Sequence, residues 1–448
     1  MVLSRVEAKL YSLRYVVEAF RPRVPRGLLN ALCLGVLRNY RLLERGLRYC
    51  GYRGQLRGRP KGWLPLVGAY EAMFRRDVVP SDRIVESTSL PRSVVECLRE
   101  TEPKDIVSGL RGSEKLSVLY SLPLWVVEKL SELDPPGGIE ALLRSLQEPT
   151  PMWIRFNRRR LALDQALELL SRAGIRARPD PVLDDVVEAV EVKPGAPSRL
   201  DPELFYIQDR AAALAAHVLG DPGDTVLDAF SAPGNKLAHV MWRNGSRVAV
   251  AVEISPRRLM DEKHLLRRQN VAIVDLVAGD ATRPPLRQSA ATAAIVDPDC
   301  TSMGRLGHSP ETRLFIERAG PSIVERLQQL QKNGLRAILQ SLRPGSKVVY
   351  MTCTLTREEN EDVVRTVVEE GLAELEKAEP LIGVWSTWLP LAQRLYPHVS
   401  RPTGDSWPYF AAFRAAQRVF FAPHRGPALA QYPLLSRVLV RHSSQQLL

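Results

Sequence analysis

Two of the five cysteines, Cys300 and Cys353, stand where a thiol can do chemistry. Each follows an apolar run that reads as a strand, Ala293–Val296 and Lys347–Met351, and each opens into a polar turn. A thiol there is expected to be exposed and close to a helix N-terminus, which favours the thiolate. Zinc ligation fails on ligand supply, because there is no CxxC spacing and His308 is the only histidine nearby. No metal is expected. A thiolate has another use: addition to carbon 6 of a pyrimidine makes carbon 5 nucleophilic enough to accept a carbon electrophile. Cys33, Cys50 and Cys97 lie in helical periodicity with no acid or histidine beside them, and read as small buried apolar residues.

The elements that must position these residues alternate regularly from Tyr206 onwards. Strands are predicted at Asp224–Phe230, Arg247–Glu253, Val271–Val277, Ala293–Val296 and Lys347–Met351, with helices near 235–244, 256–269 and 321–342. That order implies an α/β fold with a doubly wound, largely parallel sheet, Rossmann-like, which binds ligands at the carboxyl ends of its strands. The residues at those ends are Asp228 through Lys236, then Glu253, Gly279-Asp280, Asp297-Pro298-Asp299-Cys300 and Thr352-Cys353-Thr354. The first turn holds a single glycine, Gly234, and so lacks a pyrophosphate cradle. Glu253 is placed to accept both hydroxyls of a ribose, and Asp280 an adenine amino group. An adenosine-containing ligand without a diphosphate points to S-adenosylmethionine.

Around this unit the 448-residue chain has the composition of a globular protein, 45% hydrophobic and 25% charged. No apolar run is long enough to span a bilayer, and the first twenty residues read as a helix and not a signal peptide. The odd, scattered cysteines argue for a reducing, cytoplasmic compartment. The net charge of +12 is uneven: residues 1–100 hold 19 basic and 9 acidic residues, most of the former arginine. Arginine suits phosphate and stacks on bases, so nucleic acid is the natural partner of this front end. Residues 1–140 read as a helical, basic domain, 141–200 as a small α+β module with strands at Met152–Phe156 and Asp185–Val192, 201–420 as the catalytic domain, and 421–448 as a polar tail. No self-association stripe is visible, so a monomer is expected.

Asp297-Pro298-Asp299-Cys300, Met351-Thr352-Cys353-Thr354 with Glu358-Glu359-Asn360-Glu361, and Ala232-Pro233-Gly234-Asn235-Lys236 resemble the signature motifs of the Nop/Sun (Fmu-like) family of S-adenosylmethionine-dependent RNA cytosine-5 methyltransferases. Leu34-Gly35-Val36-Leu37-Arg38 is similar to that family's helical NusB-like domain, and Pro151 through Asn157 to its RRM-like middle module. The resemblance implies that Cys353 attacks carbon 6, that Cys300 assists product release, that Asp297 bonds the cytosine near N3, and that Lys236 lies beside the base. It implies a cofactor site of Phe230, Ser231, Ala232, Pro233, Gly234, Asn235, Lys236, Glu253, Arg258, Asp280 and Asp297. Asp299 departs from the family pattern, and its carboxylate is expected to raise the Cys300 pKa. The implied activity is methylation of cytosine in ribosomal RNA. Transfer RNA, a protein or small-molecule substrate, and a catalytically decayed ribosome-assembly factor are the alternatives.

Overall fold

The computed structural model describes all residues except 11, 21–23, 60, 272–273, 400–408 and 416–448; the tail expected over 421–448 lies outside the described part. The chain divides into two units. One comprises Met1–Pro149 together with Arg305–Ile323, the other Thr150–Gly304 together with the chain from Val324.

The second unit holds two sheets. Strands β1 (Met152–Phe156), β2 (Ile175–Pro179), β3 (Val186–Val192) and β4 (Phe205–Ile207) form an antiparallel sheet in the order β2-β3-β1-β4. Its apolar face, with Ile154, Phe156, Val187 and Phe205, closes on Ala166 and Leu170 of the helix Leu163–Ala173. Because β4 pairs with β1, this module extends past residue 200, where the sequence pattern had ended it.

The larger sheet is built on β5 (Thr225–Asp228), β6 (Val248–Glu253), β7 (Val274–Ala278), β8 (Ala293–Val296) and β9 (Lys347–Thr352), all parallel, as the alternation of elements predicts. Four further strands, β10 (Ala373–Glu376), β11 (Val384–Trp385), β12 (Gln393–Arg394) and β13 (Tyr409–Ala415), extend it antiparallel beyond β9. The order is β11-β12-β13-β9-β8-β5-β6-β7, with β10 on β13. Connections leave β5 in one direction and β8 in the other, so the crevice between them is the switch point at which such sheets bind ligands. The helix Arg210–Leu219 is almost wholly buried in this unit's core; its alanines favour the helix and are small enough to let it lie close to the sheet.

A buried polar network ties the small sheet to the helices of the larger one. Asp185, just before β3, accepts hydrogen bonds from His217 Nε2 (2.8 Å), His239 Nε2 (3.0 Å) and Arg243 Nη1 (3.0 Å). Burial, against the pull of Asp185, lowers the His239 pKa to about 4, so this imidazole is neutral. Two histidines and a carboxylate form a set that metals use, but here the Arg243 guanidinium already supplies the positive charge. Arg155 is buried nearby, its guanidinium 4.4 Å from the Trp242 ring centre and donating to Gln269 Oε1 at 2.6 Å.

The first unit is helical, with a core that includes Val36, Leu37, Tyr40, Leu43, Trp63 and Leu98. Two expectations fail here. Cys50 and Cys97 are not isolated packing residues: they form a disulfide across 47 residues of chain, with Cα atoms 5.7 Å apart. The cysteine count therefore no longer argues for a reducing compartment. Cys33 is buried as read, and burial pushes its thiol up to about 11. The second failure concerns boundaries. The helical unit runs to Pro149 rather than 140, and it contains residues 305–323, which the alternation of strands and helices assigned to the catalytic domain. Leu314 joins the helical core, and the fully buried Arg313 donates to Leu306 O (2.8 Å) and Gln147 Oε1 (2.9 Å).

Several basic residues of the front end make these internal contacts. Arg38 donates to Gly307 O at 2.9 Å, while Arg41 and Arg57 both hold Glu317, at 2.5 and 2.8 Å. Part of the positive charge read as RNA-facing thus fixes the inserted segment. Among the described residues, no helix is long and apolar enough to cross a membrane.

Candidate active site

The switch point gathers the predicted residues from five strand ends. Asp228 closes β5 and is fully buried; burial, with Glu262 adding to it, raises its pKa well above the usual carboxylate range. The following turn is held by Ser231 N donating to Val252 O (3.1 Å) and Gly234 N to Ser231 O (2.7 Å), and it delivers the chain into the helix Asn235–Arg243. Gly234 has φ +92°, and a Cβ there would stand 2.8 Å from Glu262 Cγ, so backbone and space both demand glycine.

At the end of β6, Glu253 Oε1 accepts from Ser255 N at 2.9 Å and Oε2 lies 3.5 Å from Arg258 Nη1. Arg258 also donates to Ala232 O at 2.9 Å, so it bridges two of the predicted cofactor segments. Gly279 N donates to Glu253 O at 3.1 Å, bringing the β7 exit beside that of β6. Asp280 is exposed, and its Oδ1 accepts from Thr282 N and Oγ1, both at 2.8 Å. Phe230 packs into the core below the turn against Gly334, and Pro233 is exposed.

Three buried carboxylate or amide oxygens around this turn, Asp228 Oδ1, Glu262 Oε1 and Asn235 Oδ1, have no hydrogen-bond partner among the described residues. Acceptors without donors fit a ligand that brings donors, as the ammonium and ribose hydroxyls of S-adenosylmethionine do.

Lys236 Nζ contacts Asp297 Oδ2 at the end of β8. Burial alone would lower the lysine pKa, but Asp297 and Asp228 raise it above its ordinary value, so Lys236 is a cation. Beyond Asp297 the two thiols meet: Cys300 Sγ and Cys353 Sγ are 3.0 Å apart, both free of disulfides. Ser302, in the left-handed region at φ 57°, places its Oγ 3.2 Å from Cys353 Sγ and 3.8 Å from Cys300 Sγ.

The pair sits deeper than its position after two strands implied. Cys353 is buried and Cys300 half-buried. Burial, followed by Cys353, Glu359 and Asp297, pushes the Cys300 thiol well above its ordinary pKa. Cys300 is therefore a neutral thiol, not the thiolate expected from a helix N-terminus. The expected rise does occur, but its causes do not include Asp299, which is exposed.

Residues 216–404 match the family described as 16S rRNA methyltransferase RsmB/F, and residues 122–192 match the ferredoxin-like domain of RsmF/B-like methyltransferases. Over these two segments the chain is similar to the RsmB/F methyltransferases. It is an S-adenosylmethionine-dependent RNA methyltransferase. Among its relatives, Ribosomal RNA small subunit methyltransferase B of Yersinia pestis bv. Antiqua (strain Angola) is 29% identical over 369 residues, covering 77% of this chain and 82% of the relative. The same fold recurs in the crystal structure of PH0851, with TM-score 0.70 and 19% identity over 92% of this chain and 97% of that one. It recurs also in NSun6 from Pyrococcus horikoshii, with TM-score 0.57 and 20% identity over 66% of this chain and 98% of that one.

In this chain the residues behind the thiols include several that reading strand ends did not single out. Glu359, fully buried, accepts from Thr301 N (2.9 Å), Thr301 Oγ1 (2.6 Å), Thr356 Oγ1 (2.7 Å) and Gln331 Nε2 (3.2 Å). Asn360 accepts from Thr352 Oγ1 at 2.6 Å and donates to Thr354 O at 3.2 Å, bracketing Cys353. Glu361 accepts from buried Arg394 Nε at 2.7 Å. The run Glu359-Asn360-Glu361 was visible as a motif, but nothing in it announced which residues it would hold.

Proposed function

We propose that this chain methylates carbon 5 of a cytosine in ribosomal RNA, in the cytoplasm, through a covalent bond between Cys353 and carbon 6. The observation that carries the reading is the pair of free thiols 3.0 Å apart beside a Lys236–Asp297 ion pair at one sheet edge. The named activity of the curated relative supports a small-subunit ribosomal target over transfer RNA.

In this reading Cys353 gives its thiol proton to water, the resulting Sγ thiolate adds to carbon 6 of the flipped base, and the pair of the carbon 5–carbon 6 double bond moves to carbon 5 and into the ring. Asp297 accepts from the base edge near N3, and the Lys236 cation beside it stabilises the electron-rich ring. When bound, S-adenosylmethionine supplies the electrophilic methyl carbon; the turn 230–236, Glu253, Arg258, Asp280 and Asp297 hold it. Carbon 5 afterwards loses its proton to water, the carbon–hydrogen pair re-forms the carbon 5–carbon 6 double bond, and the carbon–sulfur bond breaks with its electron pair returning to Cys353. Cys300, kept as a neutral thiol, donates a hydrogen bond to the departing sulfur and eases that step.

The test uses the full chain, a radiolabelled methyl donor and small-subunit ribosomal RNA, with bisulfite sequencing of the product. Cys353→Ala is expected to abolish labelling, and full activity in that variant would remove Cys353 from the mechanism. Cys300→Ala is expected to accumulate a protein–RNA adduct on denaturing gels.

A further inference from the structure

Glu262 lies on the helix Pro256–Arg268, outside every motif that marks the cofactor site, yet its side chain meets the cofactor turn twice. Oε2 accepts from Ser231 Oγ at 2.7 Å. Oε1 would stand 3.0 Å from a Cβ at Gly234, is buried, and has no hydrogen-bond partner among the described residues. The residue as a whole is 0% exposed. A carboxylate shut away from water with one oxygen unsatisfied is unfavourable by itself, and an apolar side chain would pack there more readily. Its presence there points to a partner that arrives with the ligand.

The charge around it supports the same conclusion. Glu253 from β6 faces the same turn and is answered by Arg258 from Glu262's own helix, Lys236 is already engaged by Asp297, and burial favours the neutral form of Asp228 from β5. The Glu262 carboxylate is left without a cation of its own. S-adenosylmethionine carries a sulfonium and an ammonium, so it matches a turn with unanswered carboxylate.

We infer that Glu262 is a positioning residue for S-adenosylmethionine, fixing Ser231 and supplying negative charge beneath the turn that the cofactor's cationic centres offset. The inference rests on the cofactor reading and deepens it. It has a consequence in protons. Burial, against the Ser231 hydrogen bond and with Glu253 adding to it, pushes Glu262 up to about 7. At mildly acid pH the carboxyl therefore holds a proton. A cationic ligand favours the charged form, so binding moves that proton from Glu262 Oε to the buffer.

Isothermal titration of the full chain with S-adenosylmethionine, in buffers of differing ionisation enthalpy between pH 6 and 8, tests this. Wild type is expected to release up to one proton near pH 6.5 and to lose affinity by up to about tenfold per pH unit below 7. Glu262→Gln is expected to bind about tenfold more weakly at pH 8, with its proton release gone and its pH dependence flattened. Ser231→Ala, a smaller change, is expected to weaken binding while keeping the proton release. Unchanged affinity or unchanged proton release in Glu262→Gln overturns the inference. If that variant does not fold, the wild-type titration still decides: binding without proton release at pH 6.5 overturns the role of Glu262 alone. No binding by wild type at any pH would overturn the cofactor reading as well.

Discussion

Thr301 and Thr354, the residues that follow Cys300 and Cys353, share a hydrogen bond of 2.5 Å between their hydroxyls. Thr301 is in turn gripped through both N and Oγ1 by Glu359, so one buried carboxylate sets the spacing of two loops that leave different strands. Placement of reacting groups within fractions of an ångström is where much of a catalyst's rate arises, and a 1 Å error costs about 10²-fold.

Glu359→Ala is accordingly expected to lower kcat about 10²-fold with little change in the KM for S-adenosylmethionine. Glu359→Gln, which keeps an acceptor for Thr301 N, should recover part of that loss. Steady-state kinetics on both variants checks the split, and a rise in KM with kcat unchanged would contradict the positioning role.

Gly234 needs both a left-handed backbone and an empty Cβ position. Gly234→Ala should weaken S-adenosylmethionine binding about tenfold or more, because the methyl group must displace Glu262 or tilt the turn. Equilibrium binding measures it; wild-type affinity would show that the turn yields.

The Cys50–Cys97 bond closes a loop of 47 residues, for which loop-closure entropy gives about 4 kcal/mol of stabilisation. Cys50→Ala, or wild type under reductant, should unfold at lower denaturant with methyl transfer intact under native conditions. Identical denaturation curves with and without reductant would contradict this.

Acidification should act on the Asp185 network. His239 has a folded pKa of about 4, below the ordinary value near 6.5 of the unfolded chain. Between those values the unfolded state binds one more proton than the folded state, so stability falls as pH is lowered through this window. The slope contributed is up to about 1.4 kcal/mol per pH unit. His239→Gln, which keeps a donor for Asp185, should flatten it. Urea denaturation at pH 7, 6 and 5 compares the two proteins.

Legibility in the sequence follows the range of the forces involved. The acids and cysteines at strand exits could be read because β and α alternate locally, and the sheet then lines up every exit on one edge. Glu253 and Gly279 come together for that reason alone. Pairings set by tertiary packing left no local signal. Cys50 and Cys97 each sit in ordinary helical periodicity, and only the folded core shows that they meet. The helix Thr312–Ala319 is amphipathic, which says that it must be covered but not by which domain. The raised pKa of Cys300 comes mainly from burial and the neighbouring Cys353 sulfur, and neither is visible one residue at a time.

The insertion of residues 305–323 into the helical unit also orders events at the ribosome. A chain emerges from its N-terminus, and Arg38, Arg41 and Arg57 are synthesised long before Gly307 and Glu317, their partners. The first unit synthesised is therefore not the first that can be completed. Its core waits for Leu314 until β5 to β8 of the sheet have been translated. A fragment stopped at residue 149 would lack that seam, so the helical unit belongs to the finished enzyme and is not a detachable front piece.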